Sequence, residues 1–220
     1  MAVIDPRYEA DGPRAVVRSA FGLLGALRAL GSARVSELER ASGLPRTTVH
    51  RLLNQLQEVG AVERSSGRWR LGPTLVELGA GVPAEPRLRS VARRPLLDLA
   101  NETGGLVTLS VEMAGQALVI EVLPGTRRLA KEPDAGSPLA PKTAALRAHE
   151  QARRGDMRPV IEAGTVDPRI SCVAAPLRLS PVDVGVVGVM VPGNTGVRAT
   201  AAAATRHAAG RIASQLSLLP

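Results

Sequence analysis

The sequence predicts an α+β fold in two parts, an N-terminal winged helix-turn-helix and a C-terminal domain of helices around one sheet. Two short amphipathic segments meet at a Gly-Leu-Pro turn over 43–45, which is the helix-turn-helix pattern. A charged hairpin pattern over 61–71 follows at once, in the place of a wing. After a Gly/Pro-rich break over 79–86, β-branched apolar runs alternate with segments of helical periodicity. A helical domain and a mixed domain therefore follow one another along the chain.

Three helices are predicted in the first part. The first covers 14–30 and stops at Gly31, a residue suited to the left-handed position that ends a helix. The second has Ser36 as its N-cap and ends at Gly43, and the third opens near Pro45. Helical spacing selects the side chains expected to face inward: Val17, Phe21, Leu24, Leu27 and Leu30 in the first helix, and Val49, Leu52, Leu53, Leu56 and Val59 in the third.

A wing and a linker complete the first part. Strands are predicted over 62–64 and 69–71 around a Ser66-Gly67 turn, with Trp69 anchoring the hairpin to the helices. One short helix then leads into the Gly/Pro break, which is the expected domain boundary. The predicted organisation is a flexible N-terminus over 1–13, the winged helix-turn-helix over 14–72, a linker helix over 73–86 and the second domain over 87–220.

The second part has the order helix, strands, helix, strands, helix, which predicts one antiparallel sheet flanked by helices. Two of its strands join through Ala114-Gly115. The elements are a helix over 87–104 with Leu88, Val91, Leu96 and Leu99 inward, strands within 106–124, a helix over 142–154, strands over 169–179 and 184–192, and an Ala-rich helix from about Val197 to Leu216.

The charge balance points to an anionic partner. The formal net charge is +8 and the sequence pI is about 11.1, although an Arg-rich, Ala-rich composition is also typical of GC-rich codon usage. The aromatic residues are Tyr8, Phe21 and Trp69. Single-stranded nucleic acid is held by several aromatic faces, so the expected partner is duplex DNA.

Cysteine usage and hydropathy exclude several classes of protein. Cys172 is the only cysteine, so no intramolecular disulfide framework forms, and no Cys/His spacing matches a zinc site. The N-terminal stretch has no apolar core of a signal peptide, and charges or prolines interrupt every apolar run. The sequence therefore predicts a cytoplasmic protein without membrane contact, metal or cofactor.

The second helix of the pair is the expected DNA reader, since that helix enters the major groove of duplex DNA. Arg46 has the geometry to pair with guanine, and Thr47 and Thr48 suit a phosphate or a thymine methyl group. His50 is equally compatible with an ordinary surface position. The outward residues of this helix, taken together, are also compatible with the solvated face of a three-helix unit that does not bind DNA. The candidate DNA-binding residues are Ser36, Pro45, Arg46, Thr47, Thr48, His50 and Arg51, with Arg64, Arg68 and Arg70 along the wing.

Residues 36–79, "SELERASGLPRTTVHRLLNQLQEVGAVERSSGRWRLGPTLVELG", resemble the IclR family of bacterial transcriptional regulators. The resemblance resumes in "SPLAPKTAALRAH" over 137–149 and in "CVAAPL" over 172–177. It implies a DNA-binding domain, a linker helix and a GAF-like effector-binding domain, assembled as a homodimer or homotetramer. Paired half-sites in DNA are an independent reason to expect a dimer.

The resemblance also implies an effector site at the start of one helix and on two strands of the second domain. Met190 and Pro192 stand where similar proteins have serines, so two donors for a carboxylate are missing. The segment over 150–171 is also shorter than in the family, which leaves an altered pocket or no effector as alternatives. We expect any effector to be more apolar than a short carboxylic acid. The implied residues are Thr143, Ala144, Glu162, Cys172, Met190 and Pro192.

Two other classes of function compete with a regulated DNA-binding protein. Catalysis is not expected, because His149 and His207 are far apart in sequence and no nucleophile elbow or Gly-rich phosphate loop is present. Cys172 is as well explained as a small core hydrophobe. The main alternative is a constitutive DNA-binding protein whose second domain only dimerises.

Overall fold

The computed structural model describes residues 15–80, 86–126, 129, 132–164, 168–193 and 198–218. The chain divides into two compact units, unit 1 over Met1–Pro83 and unit 2 over Ala84–Pro220. The N-terminus predicted to be flexible and the start of the last helix at Val197 lie outside the described residues.

Unit 1 has the predicted order of three helices, a hairpin and a fourth short helix. Gly31 and Gly43 both have a φ of +67°, and the Gly43 N–H donates to the carbonyl of Glu39, so each glycine ends its helix as expected. The elements are α1 (Ala15–Leu30), α2 (Val35–Ser42), α3 (Arg46–Glu58), β1 (Val62–Ser65), β2 (Arg68–Leu71) and α4 (Thr74–Ala80).

The inward face of α1 differs from the prediction, because the helix carries two adjacent apolar stripes. The face that packs in the core of unit 1 contains Leu23 and Leu27, which are fully buried. Phe21 lies beside this face and is 53% exposed. Val59 follows the last helical residue, and its side chain is exposed as well. Of the predicted inward residues, Leu24, Leu27, Val49, Leu52 and Leu53 are buried and Leu56 packs partly buried, whereas Val17, Phe21, Leu30 and Val59 are exposed.

The start of α2 is also corrected by the structure. The helix begins at Val35, so Ser36 is its second residue and not its N-cap. Arg34 occupies the N-cap position, and its backbone N–H donates to Glu37 Oε2 over 2.6 Å. Glu37, the third residue of the helix, thus accepts a hydrogen bond from the backbone N–H of the N-cap residue. This interaction makes Arg34, and not Ser36, the N-cap of α2.

The wing is an antiparallel hairpin, as predicted, with each strand one residue longer. Its turn residues Ser66 and Gly67 have φ values of +49° and +74°, the positive angles of a type I′ turn. Ala33 and Trp69 exchange two backbone hydrogen bonds of 2.9 and 2.7 Å. The hairpin is therefore fastened to the α1–α2 connection, and Trp69, which is 1% exposed, lies in the core of unit 1.

Unit 2 contains one five-stranded antiparallel sheet with the order β4-β3-β7-β6-β5, which confirms the predicted α+β class. The strand β5 was not predicted, because four residues are too few to show a period. The elements are α5 (Pro86–Thr103), β3 (Leu106–Met113), β4 (Gln116–Leu123), α6 (Ala144–Arg153), β5 (Val160–Ala163), β6 (Ile170–Arg178), β7 (Val184–Pro192) and α7 (Arg198–Ser217).

The two faces of this sheet are covered unequally. Alternate residues of β3, β6 and β7, such as Leu109 and Val187, join α5 and α7 in a large aliphatic core. On the opposite face, which we call the α6 face, α6 packs over a small core made of Ala144, Ala148, Val160, Ala174 and Val186. Little apolar surface therefore holds α6 to the sheet.

No helix within the described part of the chain combines the length and the apolar composition that a membrane crossing requires.

Candidate functional site

The N-terminal half of α3 presents the predicted DNA-binding residues on its outer side. Pro45 occupies the N-cap position and makes no side-chain cap hydrogen bond. Arg46, Thr47 and Arg51 are exposed, Thr48 and His50 are half-buried, and the alternate residues Val49, Leu52 and Leu53 hold the helix in the core. The first backbone N–H groups of a helix, with its dipole, favour an anion such as a phosphate.

The three wing arginines differ in what they contact. Arg68 donates to Ser32 Oγ over 3.1 Å, to the Ser32 carbonyl over 2.8 Å and to Glu37 Oε2 over 3.0 Å. Arg70 forms a salt bridge with Glu63 on the paired strand, and the Arg64 guanidinium lies 5.7 Å from the centre of the Trp69 ring. Arg64 and Arg70 remain exposed, whereas Arg68 joins the wing to α2.

Glu37 is a residue of this region that sequence reasoning did not select. Its carboxylate accepts from the Arg34 N–H and from Arg68, so it both caps α2 and holds the wing. The Arg34 backbone hydrogen bond and then the positive charge of Arg68 lower the pKa of Glu37. A glutamate three residues after the N-cap is the sequence pattern of a capping box, and this pattern would have identified Glu37.

Three of the predicted effector residues meet in one row of the α6 face. Glu162 on β5 pairs with Cys172 on β6, which pairs with Met190 on β7. Cross-strand partners lie on the same side of a sheet, so their side chains are neighbours. Ala144 lies in the small core under α6, while Pro192 pairs with Ile170 further along the strands.

Thr143 is engaged in starting α6. It is the N-cap residue, and its hydroxyl donates to the Ala140 carbonyl over 2.8 Å and accepts from the Leu146 N–H over 3.3 Å. The single hydroxyl hydrogen is therefore used within the protein. Thr143 defines where α6 begins and has no hydrogen left to donate to an acid.

Cys172 has the environment of an inert thiol. Burial raises its pKa to about 12, with a further contribution from the carboxylate of Glu162, to which the thiol is hydrogen-bonded. The nucleophilic and metal-binding form of cysteine is the thiolate, which is absent at neutral pH for such a group. Cys172 thus acts as a small, partly buried packing residue.

A buried polar group on the α6 face was missed by sequence reasoning. Thr108, Ser110 and His149 are 3%, 0% and 1% exposed. Ser110 Oγ lies 3.0 Å from His149 Nε2 and 3.4 Å from the Val186 carbonyl oxygen. Within the described part of the chain, His149 Nδ1 has no hydrogen-bond partner. Burial, with a smaller effect of the Arg153 charge, lowers the pKa of His149 to about 4.

Gly188 makes room for this polar group. It pairs with Thr108 across the β3–β7 ladder, and a Cβ atom at Gly188 would lie 2.6 Å from Thr108 Oγ1. Any larger residue would push the threonine hydroxyl away. The alternating polar residues Thr108, Ser110 and Glu112 in β3 were the sequence signal, but their strand partners were not visible from it.

The sequence comparisons concern mainly the first part of the chain. Residues 16–66 match the family model of the IclR helix-turn-helix domain. Over 97 residues the chain is 32% identical to HTH-type transcriptional regulator KipR of Bacillus subtilis, and over 94 residues it is 30% identical to XynR of Escherichia coli. The alignments cover 44% and 42% of this chain, and 39% and 37% of the two relatives. Less than half the length of each relative is therefore matched.

Solved structures resemble nearly the whole chain in fold. An IclR homolog from Microbacterium hydrocarbonoxydans, complexed with 4-hydroxybenzoate, has a TM-score of 0.69 at 20% identity and covers 90% of this chain and 99% of its own. The IclR of Thermotoga maritima has a TM-score of 0.65 at 19% identity, covering 91% and 98%. The chain thus carries an IclR-type helix-turn-helix sequence within a fold shared with IclR proteins.

Proposed function

We propose that this protein is a transcriptional regulator that binds duplex DNA through unit 1 and responds to a small molecule bound in unit 2. The observation that carries the proposal is the two-sided character of α3. Val49, Leu52 and Leu53 are buried, so Arg46, Thr47 and Arg51 necessarily face outward. This outward face belongs to a segment that matches the IclR helix-turn-helix model.

In this proposal α3 lies in the major groove, which is about 12 Å wide and admits one helix. Arg46 reads a guanine edge, while Thr47 and the first N–H groups of α3 contact phosphate. Arg64 and Arg70 lie along the backbone beside the groove. Arg68 contributes indirectly, because its bonds to Ser32 and Glu37 set the position of the hairpin.

A homodimer is part of the proposal, and a tetramer is compatible with it. One winged helix reads a single half-site, and a two-fold pair reads two half-sites about one helical turn apart. Unit 1 has apolar side chains available for the contact: Val17 and Phe21 on α1 are 65% and 53% exposed, and Val76 and Leu78 on α4 are 75% and 67% exposed. Where such groups form a contiguous apolar patch, the patch is typical of an association surface.

The effector site is proposed on the α6 face of unit 2. The row of Glu162, Cys172 and Met190 offers a thiol, a thioether and one carboxylate, with no cation in the row itself. Such a row suits a mainly apolar ligand better than a short carboxylic acid. The Microbacterium hydrocarbonoxydans protein, which has a similar fold, is complexed with 4-hydroxybenzoate, an aromatic carboxylic acid.

A second candidate function is constitutive DNA binding, with unit 2 serving only for association. It is favoured by the direct packing of α6 on the sheet, where Ala144, Ala148 and Ala174 are almost fully buried. In neither case is catalysis proposed, since the relatives matched in sequence are regulators. The setting proposed for both is the cytoplasm.

A mobility-shift assay with the DNA upstream of the protein's own gene tests the proposal. We expect a specific complex that survives competitor DNA and weakens steeply with salt. Repeating the assay with a panel of aromatic alcohols, amides and acids distinguishes the two candidates. A ligand-dependent shift supports the regulator, an unresponsive complex supports constitutive binding, and the absence of any specific complex contradicts both.

A further inference from the structure

The outer surface of α5 and α7, the two helices that cover one face of the unit 2 sheet, is strongly basic. Together these helices contain seven arginines and two acidic residues, a net charge of +5, whereas the whole chain has a net charge of +8. Their inward sides lie in the aliphatic core, so their charged side chains project away from the sheet. We call this surface the α5–α7 face; it comprises Arg89, Arg93 and Arg94 of α5 and Arg206, His207 and Arg211 of α7.

The chain neutralises little of the charge on this face. Arg94 and Arg211 share a single carboxylate, since the oxygens of Asp98 lie 3.0 Å from Arg94 Nε and 2.8 Å from Arg211 Nη1. On α6, by contrast, Arg153 has a carboxylate of its own in Glu112, at 3.2 Å. Three more arginines of the α5–α7 face are exposed and make no hydrogen bond or salt bridge within the described part of the chain: Arg89, Arg93 and Arg206.

The positions of the α5 arginines do not stabilise the helix. No acidic residue lies in the first turn of α5, and all four of its arginines lie within its first nine residues. The N-terminal end of a helix carries a partial positive charge, which repels cations. Arg89 and Arg93 are also four residues apart, a spacing at which like charges on a helix repel each other. An anion lying against α5 would relieve both repulsions.

The composition of the face indicates which kind of anion it fits. Leu97, at 39%, is the one exposed large apolar side chain of α5 and α7 in the described part of the chain. Protein interfaces and membrane-bound helices need an apolar core, whereas protein–DNA interfaces are polar and positively charged. The aromatic residues Tyr8, Phe21 and Trp69 all precede unit 2, so no ring is available there to stack the bases of a single strand. The phosphates of a duplex remain.

We propose that the α5–α7 face binds the phosphate backbone of duplex DNA, in a sequence-independent contact that adds to the reading of bases by α3. Arg89, Arg93 and Arg206 pair with phosphate oxygens through their unengaged guanidinium groups. Arg94 and Arg211 take part as well, because two guanidinium groups have more N–H donors than one shared carboxylate accepts. The inference rests on the proposed function in one respect, since it takes duplex DNA as the partner of this chain.

The first test measures how the DNA affinity of the full chain depends on salt. Arg89→Gln/Arg93→Gln removes two exposed charges from the face, and Arg154→Gln/Arg178→Gln removes two exposed charges from other parts of unit 2. Each phosphate contact adds about 0.9 to the slope of log affinity against log salt concentration. By fluorescence anisotropy, we expect the first variant to flatten this slope by about 2 for specific and scrambled duplexes alike. The control variant should keep the wild-type slope.

Thermal unfolding of the same proteins separates DNA contact from damage to the fold. Arg89→Gln/Arg93→Gln should unfold at or above the wild-type temperature, because it removes a repulsion between like charges. A variant that loses affinity and also unfolds at a lower temperature than the wild type would contradict the surface role of these arginines.

The second test predicts a change in the opposite direction. Asp98→Asn keeps the shape of the side chain that Arg94 and Arg211 share and removes its negative charge. We expect this variant to bind both duplexes more tightly than the wild type and to steepen the salt slope by about 1. An unchanged or flatter slope in Asp98→Asn contradicts the participation of Arg94 and Arg211.

The outcomes keep this inference apart from the proposed function. Sequence-specific binding with the same slope for the wild type and Arg89→Gln/Arg93→Gln overturns the inference alone, and leaves an acidic protein as the partner class for this face. An equally flattened slope in the control variant also overturns it, because net charge would then be the cause. A slope flattened only in Arg89→Gln/Arg93→Gln, in a protein that does not discriminate between the duplexes, supports the inference and contradicts the regulator. No binding to either duplex overturns both.

Discussion

Arg68 and Glu37 form the bond that joins the wing of unit 1 to the helix-turn-helix, with Arg68 Nη2 3.0 Å from Glu37 Oε2. The same guanidinium bonds Ser32 in the α1–α2 connection. Arg68 therefore holds the hairpin in position relative to α2 and to the α1–α2 connection.

Arg68→Ala is expected to lower the free energy of unfolding of unit 1 by about 1–2 kcal/mol, since it removes charge-assisted hydrogen bonds to Glu37 and Ser32. Arg70→Ala, which removes a salt bridge within the exposed hairpin, should cost well under 1 kcal/mol. Urea unfolding followed by Trp69 fluorescence measures both. If the two variants had the same free energy of unfolding, the contacts of Arg68 with Glu37 and Ser32 would contribute no more to stability than the exposed salt bridge of Arg70.

Arg46→Ala is expected to weaken specific DNA binding by about 1–3 kcal/mol if Arg46 pairs with a guanine. Arg51→Ala should instead weaken binding to all sequences alike and reduce the salt slope by about 1, as expected for a phosphate contact. Arg178→Ala removes the same charge from unit 2 and is the matched control. Fluorescence anisotropy with specific and scrambled duplexes at several salt concentrations measures the DNA affinity of all three variants. If neither Arg46→Ala nor Arg51→Ala changes DNA binding, the proposed placement of α3 in the groove is contradicted.

The elements of unit 1 were predictable because their ends carry local signals. Gly31 and Gly43 end two helices with positive φ, and Ser66-Gly67 forms the hairpin turn. The orientation of α1 was not predictable, since Val17 and Phe21 are as apolar as Leu23 and Leu27. Only the packing of the other helices decides which stripe is buried.

The candidate sites were predictable in part, for a similar reason. Arg46 and Thr47 follow from the start of a helix, which is a local property. The partners of the other groups are distant in sequence: Ser110 and His149 are 39 residues apart, and Arg68 and Glu37 are 31 residues apart. Such pairs are made by the fold, and one sequence without its tertiary contacts does not reveal them.

Short acids such as glyoxylate and pyruvate are expected not to stabilise unit 2. The Thr143 hydroxyl donates to the Ala140 carbonyl, and the Cys172 thiol is hydrogen-bonded to Glu162. Met190 has no hydrogen-bond donor, so none of these three side chains offers a free donor to a carboxylate. Thr143→Val should cost about 1 kcal/mol of stability through the lost cap, and Thr143→Ser should retain it. Thermal-shift measurements decide: clear stabilisation by a two- or three-carbon acid, abolished in Thr143→Val, would contradict this interpretation.

A homo-oligomer is expected in solution, because Val17 and Phe21 expose apolar surface on one side of α1. Light scattering at micromolar concentration should return a multiple of the 22.9 kDa chain mass. Phe21→Lys should shift the mass toward the monomer. Val182→Lys, at an 86% exposed position of unit 2, should leave it unchanged. A wild-type monomer, or a Phe21→Lys oligomer, would refute the assignment of α1.

The stability of unit 2 is expected to depend on pH through His149. In the folded protein the pKa of His149 is lowered from 6.5 to about 4, with burial as the larger cause and Arg153 as the smaller. The unfolded chain therefore binds the proton more readily between these values, and the free energy of unfolding falls as the pH falls from 6.5 to 4. A shift of this size corresponds to roughly 3 kcal/mol at most.

His149→Leu removes the titrating group while keeping an apolar side chain under α6. Its free energy of unfolding, measured by urea titration from pH 7 to pH 4, should therefore fall less steeply than that of the wild type. The gap between the two slopes should vanish above pH 6.5 and below about pH 4, where both states of the wild type have the same protonation. Glu112, Arg153 and Glu162 are present in both proteins, so their titration largely cancels in the comparison. Parallel curves would mean that His149 is protonated as readily in the folded protein as in the unfolded chain, which would contradict the lowered pKa of its buried ring.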